Sequence, residues 1–423
     1  MADAYWLDTA PAFVGDAGDV AARPDVAIVG GGLTGLSAAL ALARRGASVS
    51  LLEQGRVAGE ASGRNGGQCN NGTLQNYAAL AAKVGIDRAR YYYQTYNSAV
   101  DTVERLVQEE GIDCSFQRTG KLKLAAKPSH YEGLARAWES LRRDVDPDVQ
   151  LLRADELHGE IDSDAFHGGL IQPLSAQLHV GRFGVGLAEA ARRQGAAIHE
   201  HAPVTGLSRQ ASGRWRVATP KGELEASQVL VATGGSGPGP FAWFRRRVIP
   251  VGSFIVVTEP LGRERALSLI PGNRACVTSM NVGHYFRLTP DWRLLFGGRA
   301  RFTVSTPRSD QESGKLLQAA MVAVFPQLAD VAIDYCWGGS VDMSADRLPR
   351  AGEREPGLFY AMGYSGHGVQ MATHMGQVMG EVLNGDSRNN PWDLSWPAVP
   401  GHFGKPWFLP AVGAWYWMLD RLS

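Results

Sequence analysis

Three glycine-rich segments hold the residues whose types and spacing suit chemistry on a bound anion: Gly30-Gly31-Gly32-Leu33-Thr34-Gly35, Gly59 to Gln68, and Gly363-Tyr364-Ser365-Gly366-His367-Gly368. The first follows the apolar run Asp25-Val26-Ala27-Ile28-Val29 and opens a stretch of helically spaced apolar residues from Leu33 to Arg45. Gly46 supplies a helix stop, and a second strand-like run, Ala47 to Leu52, ends at Glu53. The spacing therefore predicts a strand-turn-helix-strand unit. In such a unit Gly30 permits the sharp turn, Gly32 lets backbone approach a pyrophosphate, and Gly35 lets helix and strand pack closely. The helix start stabilises the anion through its free N–H groups and partial positive charge. Glu53, 18 residues after Gly35, is placed to accept hydrogen bonds from adenosine ribose hydroxyls. A dinucleotide is implied, with NAD and FAD both open.

The second segment separates those two. An NAD unit usually continues from its second strand into a plain helix, whereas Gly59-Glu60-Ala61-Ser62-Gly63-Arg64-Asn65-Gly66-Gly67-Gln68 is polar and glycine-rich, with a single cation. It can lay backbone N–H groups and the Arg64 guanidinium along a pyrophosphate and a flavin edge. The strand Gln228 to Val231 runs into Ala232-Thr233-Gly234-Gly235 and suits closure over the nucleotide. Leu358 to Met362 reads as a buried strand, followed by the third turn and a helix from Val369 to Leu383. A helix start aimed at the pyrimidine end of an isoalloxazine stabilises negative charge on the reduced ring. Taken singly, the second and third segments also read as an ordinary surface loop and an ordinary glycine turn.

The elements that must position these turns are bounded by composition. A chain of 423 residues exceeds one compact core, and 44% hydrophobic with 20% charged residues is globular, so two interleaved domains are expected. Forty-two Lys plus Arg against 42 Asp plus Glu argues against a nucleic-acid or anionic-membrane binder and for small-molecule partners. Cys69, Cys114, Cys276 and Cys336 form no C-x-x-C pair, which argues against zinc or a disulfide framework and fits a reducing, cytoplasmic setting. The start, MADAYWLDTAPAF, does not read as a signal peptide, and Val26 to Ala43 is broken by four glycines, so no membrane span is expected.

Together the three glycine segments resemble the family of D-amino acid, glycine and sarcosine oxidases, and within it the branch acting on gamma-glutamylputrescine. Tyr5-Trp6-Leu7-Asp8, Tyr285-Phe286-Arg287-Leu288-Thr289 and Phe325-Pro326-Gln327-Leu328 extend the likeness over nearly the whole chain. The resemblance implies an α/β fold: a Rossmann-like FAD-binding domain with a second α+β substrate domain built on a mixed or antiparallel sheet. The strand-like runs Val248 to Thr258 and Gly283 to Gly298 agree. The expected division is 25–85, 150–240 and 335–390 for FAD, 86–149 and 241–334 for substrate, and 391–423 as an extension. The full set expected to contact FAD adds Gln54, Val204, Trp337 and Gly338 to the turn residues.

Departures from the family pattern bear on the substrate. Family amino acid oxidases hold a carboxylate with an Arg after a Trp-x-Gly turn; here Trp337-Gly338-Gly339-Ser340-Val341-Asp342 puts Val341 there, with Asp342 beside it. Gln370 stands where sarcosine oxidases have Lys, and Leu295 falls near their oxygen-activating Lys. A cationic amine is expected, though Arg287, Arg299 or Arg301 can supply an anion site from elsewhere. Cys336 is slightly off the position of a covalent flavin link, so dissociable FAD is expected. The expected reaction is hydride transfer from a small amine, a gamma-glutamylputrescine-like primary or secondary amine, to flavin N5, giving an imine that hydrolyses to an aldehyde. Oxygen or another acceptor then takes the electrons. His367, Tyr285 and Tyr364 are the side chains expected nearest the chemistry. The rivals are an oxidase or dehydrogenase of an amino acid or aminophosphonate, and a non-catalytic flavin-binding protein. The aromatic stretch Trp407 to Leu419 suggests a packing helix or a contact in a homo-oligomer.

Overall fold

Val26–Val29 is buried along its whole length, as are Val49–Leu52 and the middle of Gln228–Val231, which is the pattern of strands covered on both faces. In the computed structural model, which describes residues 4–17, 20, 23–234, 237, 239–299 and 301–422, these strands form the centre of a six-stranded sheet. Its order is Arg350–Glu355, Leu358–Met362, Gln228–Val231, Val26–Val29, Val49–Leu52, Ala197–His199. Every neighbouring pair is parallel except the first, which is antiparallel. This is the Rossmann-like layer expected from the sequence.

The helix Leu33–Ala43 is buried on all sides. It lies against the helix Gly368–Val382, where Gly376 makes the close approach: a Cβ there would stand 2.5 Å from Thr34 O and 2.5 Å from Ser37 Cβ. Ser37 Oγ donates to Thr373 O at 2.6 Å and Gln377 Nε2 to Ser37 O at 2.8 Å, so the two helices are held by hydrogen bonds as well as contact. The long helix Ile86–Glu110 buries Tyr92, Tyr93, Tyr96 and Val103 in the same core.

The second layer is an eight-stranded sheet: Ile333–Met343, Ile249–Thr258, Leu294–Gly298, His284–Leu288, Ala275–Thr278, Lys121–Leu124, Gly169–Gln172, Gln150–Leu152. It is antiparallel apart from the parallel pair Ala275–Thr278 with Lys121–Leu124, hence mixed. Phe254, Phe286, Phe296 and Phe325 fill its separate core, with the Phe286 and Phe296 rings stacked at 5.4 Å. Strand pairing cuts across the divisions expected from the sequence. Gln150–Leu152, Gly169–Gln172 and all of Ile333–Met343 beyond Asp334 lie in stretches assigned to the nucleotide unit, yet they hydrogen-bond into this second sheet. Among the described residues no helix is long and apolar enough to cross a membrane.

Candidate active site

The first glycine turn is shaped by sterics that only hydrogen satisfies. Gly30 has φ +110°, and a Cβ on Gly35 would fall 2.0 Å from Gly30 O. Gly32 is the N-cap of Leu33–Ala43, in extended conformation, and Ser62 Oγ accepts from Leu33 N at 3.0 Å, so the second loop sits over the helix start. Glu53 follows the second strand; its carboxylate accepts from Gly31 N and Gly55 N, each at 2.7 Å. Burial pushes its pKa up, against those two N–H donors.

The loop Gly59 to Gln68 is tied from three directions. Arg64 Nε donates to Gly338 O at 2.8 Å, and Trp337 Nε1 returns a bond to Arg64 O at 2.9 Å. Trp6 Nε1, from the short helix Tyr5–Asp8, donates to Asn65 O at 2.7 Å. Buried Arg287 spends its guanidinium on Gly67 O, Leu178 O and Leu288 O. Arg287 is thus a brace for the loop and not an open cation.

These segments converge on one cavity of about 1140 Å³ between the two sheets. Of the residues expected from the sequence, Gly30, Gly32, Leu33, Thr34, Glu53, Gln54, Ala61, Ser62, Arg64, Asn65, Gly66 and Gln68 line it. So do Val204, Ala232, Thr233, Gly234, Gly366, His367, Gly368, Val369, Tyr285 and Tyr364. Gly235 lies outside the described residues. Gly35, Gly67, Trp337, Gly338 and Gly363 stand behind the wall instead. Gly35 packs on Gly30 O, Gly67 and Gly338 offer carbonyls to Arg287 and Arg64, Trp337 anchors the loop, and Gly363 turns the chain at φ +80°.

Tyr364 bridges the third turn to the first, its hydroxyl 2.8 Å from Thr34 Oγ1. The Tyr285 hydroxyl lies 3.1 Å from Ser253 Oγ, its ring lies against Gly66, and burial pushes its pKa up to about 12. His367 precedes the helix Gly368–Val382 with Nδ1 buried and unpartnered. Burial first, then Lys121 and Arg299, bring its pKa down to about 3, so the ring is neutral. Cys336 Sγ points away from the cavity and donates to Asp310 O at 3.3 Å.

Sequence reasoning missed most of the cations. Lys121–Leu124 reads Lys-Leu-Lys-Leu, and Lys121 and Lys123 both face the cavity while Leu122 and Leu124 enter the phenylalanine core. Lys121 Nζ donates to Asn71 O at 2.9 Å, and burial with Lys123 alongside brings its pKa down to about 7. Arg299 and Arg347 line the same space, as does Tyr416 from the C-terminal helix Leu409–Leu422. The negative character expected beside Asp342 is therefore outweighed around His367. The only available signal was the period-two alternation of lysine and leucine, which ordinarily marks a solvated strand face.

A glycine turn that follows a buried parallel strand and heads a helix, and a cavity shared with a mixed sheet, define a dinucleotide-binding oxidoreductase of the Rossmann-like class. The chain belongs to the DAO family of FAD dependent oxidoreductases, whose pattern it matches over residues 25–382. It is 34% identical to gamma-glutamylputrescine oxidoreductase of Escherichia coli strain K12, over 94% of this chain and 93% of that protein. It is 26% identical to glycine oxidase of Geobacillus kaustophilus strain HTA426, over 90% of this chain and 98% of that protein. The crystal structure of glycine oxidase from Geobacillus kaustophilus superimposes with a TM-score of 0.71 at 24% identity, covering 90% of this chain and 99% of that one. The cradle fits FAD: a Cβ on Gly32 would lie 2.8 Å from Ser62 Oγ, closing the approach to the helix start. The cavity also exceeds the roughly 300–1,000 Å³ of ordinary small-ligand pockets.

Proposed function

We propose that this FAD-dependent oxidoreductase oxidises a carbon–nitrogen bond in a small primary or secondary amine of the gamma-glutamylputrescine kind. The first glycine turn and Glu53 would hold the pyrophosphate and ribose, and the Gly59 to Gln68 loop and the start of Gly368–Val382 would flank the ring. When bound, FAD would supply the hydride acceptor for oxidation of the amine to an imine, which water would hydrolyse to an aldehyde plus ammonia or an amine, with oxygen or another acceptor taking the electrons.

The observation that carries this reading is the cationic, enclosed wall around His367. A free aliphatic ammonium has a pKa near ~10.4, and both desolvation and positive neighbours favour its neutral, reactive form. Lys121 and Arg299 act on His367 in that direction, and would act likewise on an amine beside it. The neutral imidazole keeps one acceptor nitrogen for an amine N–H. The Tyr285 ring walls the space beside Gly66. A second reading, oxidation of an amino acid or aminophosphonate, draws support from Arg299 and Arg347 in the same cavity.

An anaerobic stopped-flow panel tests the choice. Gamma-glutamylputrescine is expected to bleach the flavin fastest at low concentration. If only alpha-amino acids or aminophosphonates bleach it, the amine reading is wrong and the second one stands.

A further inference from the structure

The C-terminal helix Leu409–Leu422 has two unlike faces. Its inner face is tied down by polar bonds and ring contact. Tyr416 Oη accepts from Arg347 Nη2 at 2.7 Å, and the Tyr416 ring stacks on Phe302 at 5.9 Å. The buried Asp420 carboxylate accepts from Asn281 N at 2.9 Å, Asn281 Nδ2 at 2.8 Å and Val282 N at 2.8 Å. The outer face has the opposite character. Trp415, Trp417, Met418 and Leu422 are 43–77% exposed, and the stretch leading into the helix adds Phe403 and Trp407, each 75% exposed. Six of the eleven exposed large hydrophobic side chains among the described residues thus fall within Phe403 to Leu422. Trp415, Met418 and Leu422 recur at i, i+3 and i+7, so they share one stripe. Apolar residues exposed singly are ordinary, whereas an apolar stripe left open on one helix marks a contact surface.

Charge selects the occupant. Between Leu394 and Leu422 the charged residues are Lys405, Asp420 and Arg421, and Asp420 is buried, so the exposed charge of this segment is wholly positive. Arg421 lies over the Trp417 ring at 3.9 Å and Arg246 over the Phe403 ring at 5.2 Å, so each cation rides on an exposed aromatic. The overall balance of 42 against 42 conceals this local excess. A second copy docked face to face would set these cations against their own like, with no exposed acid in the segment to answer them. A phospholipid surface answers both features: indole rings settle at the headgroup level, and the cations meet anionic headgroups. Fourteen residues rise about 21 Å, short of the roughly 30 Å hydrocarbon core. Such a helix lies on a membrane and does not cross it.

We propose that the outward face of Leu409–Leu422, with Trp415, Trp417, Met418 and Leu422 as anchors and Arg421 as its cation, docks this enzyme on an anionic lipid bilayer. Tyr416 on the inner face lines the cavity, so docking sets the flavin site beside the lipid surface.

Flotation of the full, flavin-loaded chain with lipid vesicles tests this. The wild type is expected to float with phosphatidylcholine vesicles that contain phosphatidylglycerol, and less with phosphatidylcholine alone. Added salt should release part of it, since headgroup attraction is screened. Lipids brominated on the acyl chain should quench its tryptophan emission. Trp415→Ser combined with Trp417→Ser should weaken binding at least about 10-fold, the worth of one buried aromatic side chain, and remove most of the quenching. Arg421→Gln should weaken binding about 5-fold, and only to the anionic vesicles. Leu422→Asp alters the most exposed apolar residue of the helix, which leaves the fold alone, and should weaken binding more than Arg421→Gln does. Unchanged melting temperature and flavin content would mark each loss as one of surface contact. A wild type that stays in the soluble fraction at low salt overturns the proposal, as does floating of the tryptophan double variant and Leu422→Asp at the wild-type level. Self-association that these variants abolish, without vesicle binding, overturns it in favour of a contact between copies.

Discussion

The His367 imidazole lies edge-on to Tyr96 at 5.6 Å, feels Lys121 and Arg299, and leaves Nδ1 without a partner. Its pKa, about 3 when folded, lies below the unfolded value near ~6.5. Above ~6.5 the ring is neutral in both states and contributes no pH dependence. As the pH falls below that, the unfolded chain takes up a proton that the folded chain refuses. Stability is then lost progressively toward about 3, by at most about 1.4 kcal/mol per pH unit for one such group. His179 and His374, each lowered to about 4, act in the same direction. His367→Asn is therefore expected to melt with a shallower pH dependence between pH 6 and 4 than the wild type. Parallel curves would mean that the ring is not held neutral by its surroundings.

Gly376 shows how one atom fixes the angle between two helices. Thr34 O, Ser37 Cβ and Ala38 N lie 2.5 to 2.8 Å from where its Cβ would be, and two of the three are backbone atoms that cannot rotate away. The same contact carries Ser37 and Gln377 hydrogen bonds and sets where His367 and Gly368 meet the first glycine turn. Gly376→Ala is expected to destabilise by about 1–3 kcal/mol and to lower the flavin content of the purified protein. Denaturant unfolding and the visible spectrum measure the two effects; an unchanged midpoint would show that the helices can separate freely. The period-3.6 apolar pattern identified both helices from the residues alone. It did not indicate that glycine, not bulk, governs their contact.

The cavity walls come from both sheets, so a bound dinucleotide bridges them in addition to the core that Ile255, Val257, Leu295 and Trp337 share with the nucleotide-binding layer. Removing FAD is expected to lower the melting temperature of both cores together. Restoring it at about 100 times its Kd should return about 2.7 kcal/mol. Calorimetry of the stripped protein, with and without FAD, measures this; two separate transitions of which only one responds would contradict it. The glycine turns, the parallel strands and the cofactor they suit were readable in the chain because backbone φ, Cβ sterics and apolar periodicity act within a dozen or so neighbouring residues. The strand pairing of Gln150–Leu152, Gly169–Gln172 and Ile333–Met343 was not, since it depends on partners distant in sequence. The cationic wall was hidden in part: Arg299 was readable as a possible anion site, whereas Lys121, Arg347 and Tyr416 were not. Lys121, Arg299, Arg347 and Tyr416 belong to four separate elements, and the alternation around Lys121 looks like a solvated face until the sheet folds over the cavity. Local sterics dictated that a dinucleotide binds, whereas long-range packing, which alone decides which charges become enclosed together, determined the electrostatic field the substrate meets.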